Sequence, residues 1–191
     1  MEVATRIRSR SQAGVTLVEV LVTMVILAIG LLGLVALQAR VQILQAEAYQ
    51  RAQALMLLKD MAGRIANNRN DAEQYVTGAD APLGVGDDCP DPGATRREND
   101  AAEWCAALQG AAETLGGSNV GAMVGGRGCI EDMGSGRFRV TVTWQGLAPI
   151  SAPPATVACA ANEYDGGADS ACTDDLCRRV VTTIVRIPTL T

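Results

Sequence analysis

Six cysteines are the most reactive side chains of this 191-residue chain. All of them lie in its second half or just before it, and they are Cys89, Cys105, Cys129, Cys159, Cys172 and Cys177. An even number of cysteines in one region is typical of disulfide bonds formed in an oxidising compartment. The sequence does not choose among the many possible pairings, although the short spacing makes a Cys172–Cys177 bond possible. We therefore expect a domain stabilised by disulfides.

A metal site is the alternative use of these cysteines. The chain has no Cys-x-x-Cys pair and no histidine, so the usual zinc-ligand patterns are missing. Acidic and amide side chains near the C-terminal end suggest calcium, but their spacing matches no EF-hand loop. These side chains are Asn162, Asp165, Asp169, Asp174 and Asp175. Solvated loop acids are the better interpretation, and we expect no metal and no cofactor.

The lack of histidine also bears on catalysis and on partners. Histidine is the commonest general base, so Ser-His and Cys-His nucleophile pairs are excluded. The formal net charge of −5 argues against a nucleic-acid-binding surface. We expect a protein that is not an enzyme and has no catalytic residues.

A single carboxylate, Glu19, lies inside an apolar segment. This segment, residues 15–37, is interrupted only by Thr16, Glu19 and Thr23. As a helix it would be about 35 Å long, enough to cross a bilayer. A carboxylate in a spanning helix costs roughly 2.5–3.5 kcal/mol on insertion scales, and such residues normally have a partner or a function.

The residues before this segment predict its orientation. Arg6, Arg8 and Arg10 precede it against one acid, Glu2, which favours a cytoplasmic N-terminus and a periplasmic C-terminal part. A conventional signal peptide, with Ala28-Ile29-Gly30 as its cleavage site, and a plain uncleaved anchor remain alternatives. A buried helix of a soluble protein is disfavoured because the segment has no polar face.

The sequence Gly14-Val15-Thr16-Leu17-Val18-Glu19 resembles the prepilin peptidase site of type IV pilins and type II secretion pseudopilins. The resemblance implies cleavage after Gly14 and methylation of the new terminal amine at Val15, a position where the family usually has phenylalanine. It also implies that Glu19 acts in subunit assembly by pairing with the terminal amine of a neighbour. Two charges that are costly alone in a low dielectric attract strongly when brought together.

The continuation to Gln38 looks like the start of minor pilins of the PilV kind. The segment Gly30-Leu31-Leu32-Gly33 and the closing Leu37-Gln38 carry most of this likeness, which covers about residues 10–60. The proline found in many major pilins is missing here, and Gly30 and Gly33 are expected to provide the flexibility instead.

The resemblance implies a minor pilin subunit of a bacterial type IV pilus, acting in pilus assembly or priming and in twitching motility or adhesion. Its implied partners are other major and minor pilins, prepilin peptidase, the inner-membrane assembly machinery and, before assembly, membrane lipid. Its implied location is the inner membrane and then the surface fibre. A minor pseudopilin of type II secretion and a membrane-tethered binding protein or enzyme are the alternatives.

The rest of the N-terminal region predicts that the helix continues to Asn67. Apolar residues recur every three or four positions, as on one face of an amphipathic helix. They are Val41, Leu44, Ala48, Leu55, Leu58, Ala62 and Ile65, with Arg51 or Ala52 between. A coiled-coil dimer is the alternative use of this stripe.

The remaining residues predict a small mixed head. Residues 71–99 indicate a loop holding Cys89, followed by a short helix capped by Asn99 or Asp100 with Glu103 in its first turn. One face of that helix is predicted from Ala101, Trp104, Cys105, Leu108, Ala112 and Leu115. The six glycines between residues 116 and 128 indicate turns or a flexible link.

The sequence also predicts two strands in the C-terminal part of the chain. Phe138, Val140, Val142 and Trp144 alternate with polar residues, which predicts a strand with one buried face. Residues 180–187 predict a second strand, ended by Pro188. The long connection between them holds three cysteines and is expected to be stapled or functional.

The predicted fold is α+β and pilin-like, with a long N-terminal helix packed on a small antiparallel sheet. We predict four parts: a leader, residues 1–14; a transmembrane and fibre-core segment, residues 15–37; an amphipathic continuation of the same helix, residues 38–67; and a disulfide-stapled periplasmic head, residues 68–191.

Overall fold

A computed structural model describes residues 14–111, 114–119, 121 and 123–188. All of the predicted leader except Gly14 lies outside the described residues. The chain forms two compact units, residues 1–42 and 43–191. Helix α1, Leu17–Asn67, contributes to both units.

The first unit consists of the apolar part of α1. Its residues favour a helix because leucine and alanine are strong helix formers and no proline interrupts the run. An 18-residue window has a mean hydropathy of 2.9, and none of it is buried. This stretch is long and apolar enough to span a membrane, as the sequence predicts.

In the second unit, the buried face of α1 is formed by Gln50, Ala54, Leu58, Met61 and Ile65. Leu58 and Ile65 confirm part of the predicted stripe. Leu44 and Leu55 of that stripe are instead exposed. The predicted stripe is rotated from the observed buried face. Apolar residues lie on both sides of that face, so periodicity alone does not define its centre.

The other elements of the second unit are a sheet, a helix and two short pieces. The sheet has four antiparallel strands in the order β1-β4-β5-β6. Their bounds are β1, Leu83–Gly84; β4, Arg127–Asp132; β5, Arg137–Gln145; and β6, Arg178–Arg186. Strands β2, Thr114–Leu115, and β3, Ser118–Asn119, form a separate hairpin. Strands β5 and β6 confirm the two predicted strands.

Strand β4 contradicts the prediction of turns up to residue 128. Gly128 lies on its inner face, where the ring of Trp104 packs directly over the backbone, and a Cβ there would overlap the ring. A glycine inside a strand therefore marks a close approach of another group rather than a turn.

Helix α2, Arg96–Leu108, begins earlier than predicted. Thr95 caps it, because its hydroxyl accepts the backbone N–H of Glu98 and the Glu98 carboxylate accepts the backbone N–H of Thr95. The predicted caps, Asn99 and Asp100, lie inside the helix. The reciprocal Thr-x-x-Glu bonds satisfy two free donors, which neither predicted residue does.

Two further predictions for this region were wrong. The first residues of the predicted loop, 71–75, belong to a 3₁₀ helix, Arg69–Tyr75. Leu115 is exposed in β2 rather than on the face of α2, because α2 ends at Leu108. Ala112 lies outside the described residues.

The core joins α1, α2 and the inner face of the sheet. Its members are Ala54, Leu58, Met61, Ile65, Ala72, Tyr75, Trp104, Leu108, Ile130, Phe138, Val140, Val142, Trp144 and Val185. Trp104 is fully buried, and its indole N–H donates to the carbonyl of Leu57 at 3.0 Å. The α+β prediction, with the long helix packed on a small antiparallel sheet, is confirmed for this unit.

The outer face of the sheet is also covered, against the prediction of one buried face for β5. Thr141 and Thr143 are fully buried. The Tyr164 hydroxyl lies 2.7 Å from the hydroxyl of Thr143 and donates to the carbonyl of Gly125 at 2.8 Å. The long connection folds back over β4 and β5, and small polar side chains fit beneath it.

Three disulfides hold these connections. They are Cys89–Cys105, Cys129–Cys159 and Cys172–Cys177. The first ties the loop before α2 to that helix, the second ties the long connection to the outer face of β4, and the third closes the connection just before β6.

Candidate processing and assembly site at the start of the long helix

The site predicted from the sequence lies where the chain enters α1. Gly14, Val15 and Thr16 are non-helical and exposed, and α1 begins at Leu17. The Val15 side chain is 70% exposed, and nothing lies within 4 Å of a Cβ placed on Gly14. The peptide bond between Gly14 and Val15 therefore lies in accessible, non-helical backbone.

Thr16 sets the position at which the helix begins. Its hydroxyl accepts the backbone N–H of Glu19 at 3.3 Å, and its carbonyl accepts the N–H of Val20 at 3.2 Å. These bonds give Thr16 the role of an N-terminal cap. Sequence reasoning missed this role, although Thr16-Leu17-Val18-Glu19 has the Thr-x-x-Glu spacing of a capping box.

Glu19 is consequently the acidic residue of the first helical turn. The N-terminal end of a helix carries a partial positive charge, which favours a carboxylate there. A full cation is much farther away, because Arg40 is the sole basic residue in the described part of the first unit and lies about 30 Å along the helix. Cleavage after Gly14 would create a nearer cation at the amine of Val15.

The helix that carries Glu19 presents apolar side chains on every side. Its described large residues from Val15 to Leu37 are 43–78% exposed. Neither a polar face nor a packed neighbour covers them within the first unit. Such a surface requires lipid or other protein chains around it.

The six cysteines that were predicted to form disulfides are all in the second unit, far along the chain from Glu19. They form three disulfide bonds. The thiolate metal site is thereby contradicted, because each thiolate is consumed in a disulfide.

Two of the acids considered for calcium, Asp165 and Asp175, bond to the loop that contains them. Asp165 accepts the backbone N–H of Asp175 at 2.9 Å, and Asp175 accepts that of Asn162 at 2.8 Å. The second oxygen of Asp175 pairs with Arg178 at 2.9 Å. Among the described residues, no three side chains of His, Cys, Asp or Glu are grouped as metal ligands.

An open cleft of about 370 Å³ lies in the second unit between α1 and the start of β6. Glu47 and Arg179 form its charged side, 3.6 Å apart. Glu47 also accepts the backbone N–H of Leu147 at 3.1 Å, and Arg179 donates to the carbonyls of Ala148 and Leu176. These groups fasten the connection after β5 to the helix.

Comparison with known protein families identifies the first part of the chain. Residues 9–35 match the family described as "Prokaryotic N-terminal methylation motif". No curated protein and no solved structure matches the chain significantly. The motif supports a type IV pilin or pseudopilin, and it implies processing by prepilin peptidase and assembly into a pilus-type fibre.

Proposed function

We propose that the chain is a minor pilin of a bacterial type IV pilus, of the PilV kind, which acts in fibre assembly or priming. The observation that carries the proposal is the position of Glu19 in the first turn of an apolar helix, directly after the accessible Gly14–Val15 bond. The methylation motif over residues 9–35 supports the same assignment.

Processing is the first step of the proposed function. Prepilin peptidase hydrolyses the Gly14–Val15 bond, which leaves a carboxylate on Gly14 and an amine on Val15, and the amine is then methylated. The exposed, non-helical backbone of residues 14–16 suits entry into a protease site, because a protease needs access to the bond that it cleaves. Since Thr16 caps α1, the helix stops short of the cleaved bond.

Assembly is the second step. The carboxylate of Glu19 on an incoming subunit pairs with the terminal ammonium of a neighbour. Each charge alone costs free energy in the apolar surroundings, and pairing recovers much of that cost. Pairing also fixes the axial register, because only one carboxylate is available within the described apolar segment.

The second unit is proposed to be a non-catalytic periplasmic head. Its disulfides require an oxidising compartment, which matches an N-terminus held in the cytoplasm by Arg6, Arg8 and Arg10. After assembly the head lies on the fibre surface, where twitching motility and adhesion would depend on it. Its partners are the other pilins and the inner-membrane assembly machinery.

A minor pseudopilin of type II secretion is the second candidate, because the same N-terminal motif serves both systems. The Gly30–Gly33 pattern and the three disulfides favour the pilus. A deletion strain separates them: loss of surface pili or twitching supports the pilin, whereas loss of exoprotein secretion supports the pseudopilin.

The experiment that tests the proposal is N-terminal mass spectrometry of the membrane-extracted protein. We expect a chain beginning with N-methylated Val15 in the wild-type strain and an uncleaved chain in a strain without prepilin peptidase. An intact leader in both strains would contradict the proposal and favour a plain membrane-tethered protein.

A further inference from the structure

Strand β6 forms one edge of the sheet and carries an unusual run of residues. Residues 180–185 read Val-Val-Thr-Thr-Ile-Val, so six consecutive β-branched residues occur without a charge, proline or glycine. Such residues have the highest strand propensity. Edge strands are normally protected by charges, proline or bulges, because their free backbone groups pair readily with another strand. This edge has no such protection between Val180 and Val185.

The hydrogen-bond pattern identifies which backbone groups are free. Outside the two ends of β6, Ile187 donates to Gly136 and Gly146 donates to Cys177, both at 2.8 Å. Bonded pairs alternate along an antiparallel ladder, so the backbone of every second residue from Arg179 to Val185 faces β5. The N–H and C=O groups of Val180, Thr182, Ile184 and Arg186 therefore face away from β5, and among the described residues β6 pairs with β5 alone.

The side chains beside this edge are accessible. Thr182 and Arg186 are exposed, and Ile184 is 50% exposed although it is large and apolar. They lie on the outer face of the sheet, since Thr182 pairs with Thr141 and Ile184 with Arg139. The edge thus offers both free backbone groups and an apolar side chain for a partner.

Charge distinguishes the possible partners. Arg186 and Arg137 are directly opposite each other at the end of the β5–β6 ladder, and both are exposed. A second copy of β6 would bring no acidic residue of its own strand to Arg186, because Arg178–Arg186 contains no aspartate or glutamate. A strand with acidic residues at one end would instead meet the two arginines with opposite charge.

We propose that the free edge of β6 binds an extended segment of another protein, which adds a fifth strand to the sheet. The segment has β-branched or small residues in its centre and acidic residues at the end beside Arg137 and Arg186. Main-chain hydrogen bonds supply affinity in this mode of recognition, and the charged end sets the direction of the added strand. The proposal concerns the second unit and does not require the assembly role of Glu19.

The test uses the full-length chain in detergent micelles and fluorescently labelled ten-residue peptides of alternating valine and threonine. One peptide carries two glutamates at one end, and the other carries two lysines in the same places. Fluorescence anisotropy should show the acidic peptide binding about fivefold more tightly than the basic one. Equal binding of both peptides, or binding of neither, would overturn the proposal.

Two substitutions locate the binding on β6. Thr182→Pro removes an outward N–H and no bond to β5, so the sheet should survive while the acidic peptide binds at least about fivefold more weakly. Thr182→Ala keeps the N–H and should bind normally. Unchanged binding by a Thr182→Pro protein that retains wild-type circular dichroism would exclude this edge.

Changing the charge of a side chain tests the proposal without a proline substitution in the strand. Arg186→Glu leaves Arg137 beside a carboxylate of the protein, so the preference should be lost and the two peptides should bind about equally. Lys59→Glu, a reversal at an exposed position of α1, should leave the preference for the acidic peptide unchanged. If light scattering shows dimers that Thr182→Pro abolishes, and neither peptide competes, the edge binds a second copy and the proposed partner is wrong.

Discussion

At the residue scale, Glu19 combines two favourable roles at one position. It follows the cap Thr16 by three residues, so its backbone N–H is bonded and its carboxylate lies in the turn where the helix end is positive. The local contribution is small, about 0.3–1 kcal/mol. This contribution is smaller than the free-energy cost of a carboxylate among apolar surroundings. A full counter-charge is required to offset the remaining cost.

The first prediction is that Glu19→Ala and Glu19→Gln reduce incorporation into fibres at least about tenfold. Removing one member of a buried ion pair is strongly destabilising, whereas Glu19→Asp retains the charge and should keep part of the activity. Immunoblots of sheared fibres measure incorporation. Glu47→Gln, on the same helix in the second unit, is the matched control, because an amide oxygen can still accept from Leu147.

This prediction requires a separate assay of processing. If the Glu19 variants are cleaved after Gly14 yet enter fibres at the wild-type level, the electrostatic account of assembly is wrong. If they are not cleaved, their absence from fibres says nothing about pairing, and the cleaved Glu19→Asp protein then becomes the informative comparison.

Tyr75 and Tyr164 are buried hydroxyls that respond to alkaline pH. Burial raises the pKa of Tyr75, and its hydrogen bond to the Asp100 carboxylate, at 2.6 Å, raises it further. Burial also raises the pKa of Tyr164. Asp100 is held in turn by Arg64 of α1 at 2.7 Å, so Tyr75 belongs to a network that joins both helices.

The second prediction is a loss of stability above about pH 10, the ordinary tyrosine pKa. The unfolded chain ionises there while the folded tyrosines stay protonated, so the stability that they contribute is complete below pH 10 and falls as pH rises. Thermal unfolding at pH 7 and pH 11 measures this. Tyr75→Phe and Tyr164→Phe should each reduce the difference in Tm between the two pH values, and an unchanged difference in both would contradict it.

At the scale of elements, the three disulfides differ in how much chain they restrain. Cys129–Cys159 spans 30 residues, and both of its cysteines are fully buried. Cys172–Cys177 spans 5 residues; Cys177 is fully buried and Cys172 is partly exposed. The chain-entropy account gives the longer loop the larger effect.

The third prediction ranks the two bonds by stability. Replacing Cys129 and Cys159 together with alanine should lower the free energy of unfolding by about 3.5 kcal/mol, and replacing Cys172 and Cys177 by about 2 kcal/mol. Urea unfolding of the full chain in micelles provides both values. The reverse order would show that restraint of the unfolded chain does not determine the effect.

The elements also differ in how far the sequence predicts them. Alternation from Phe138 to Trp144 predicts β5 because every second side chain enters the core. The same pattern does not reveal that Thr141 and Thr143 are buried too. Thr143, for example, lies against the hydroxyl of Tyr164, which is 21 residues farther along the chain. Gly128 was likewise predicted to lie in a turn. A glycine is needed there because the ring of Trp104, on a different element, packs against its backbone.

At the scale of the whole molecule, two units with different surroundings share one helix. The first unit is apolar on all sides and fits membrane anchoring. The second has a closed core and three disulfides. Their different chemistry implies different surroundings, apolar for the first unit and oxidising for the second.

The fourth prediction is the direction of insertion. Alkaline phosphatase fused after Thr191 should be active, since it folds only in the periplasm, and β-galactosidase fused at the same place should be inactive. Replacing Arg6, Arg8 and Arg10 with glutamate should reduce phosphatase activity severalfold, because basic residues hold the N-terminus in the cytoplasm. An inactive phosphatase fusion in the wild-type chain would contradict the proposed orientation.

The sequence by itself determined the apolar helix, the position of Glu19 within it, the two long strands and the use of the cysteines in disulfides. These features depend on composition and on periodicity within one segment, which are local properties of the chain. The tertiary structure alone decided the Cys89–Cys105 and Cys129–Cys159 pairings, the buried face of α1, the covered outer face of the sheet and the free edge of β6. Each of these depends on which distant segments meet, and that is settled by packing of the whole core rather than by any one stretch of residues.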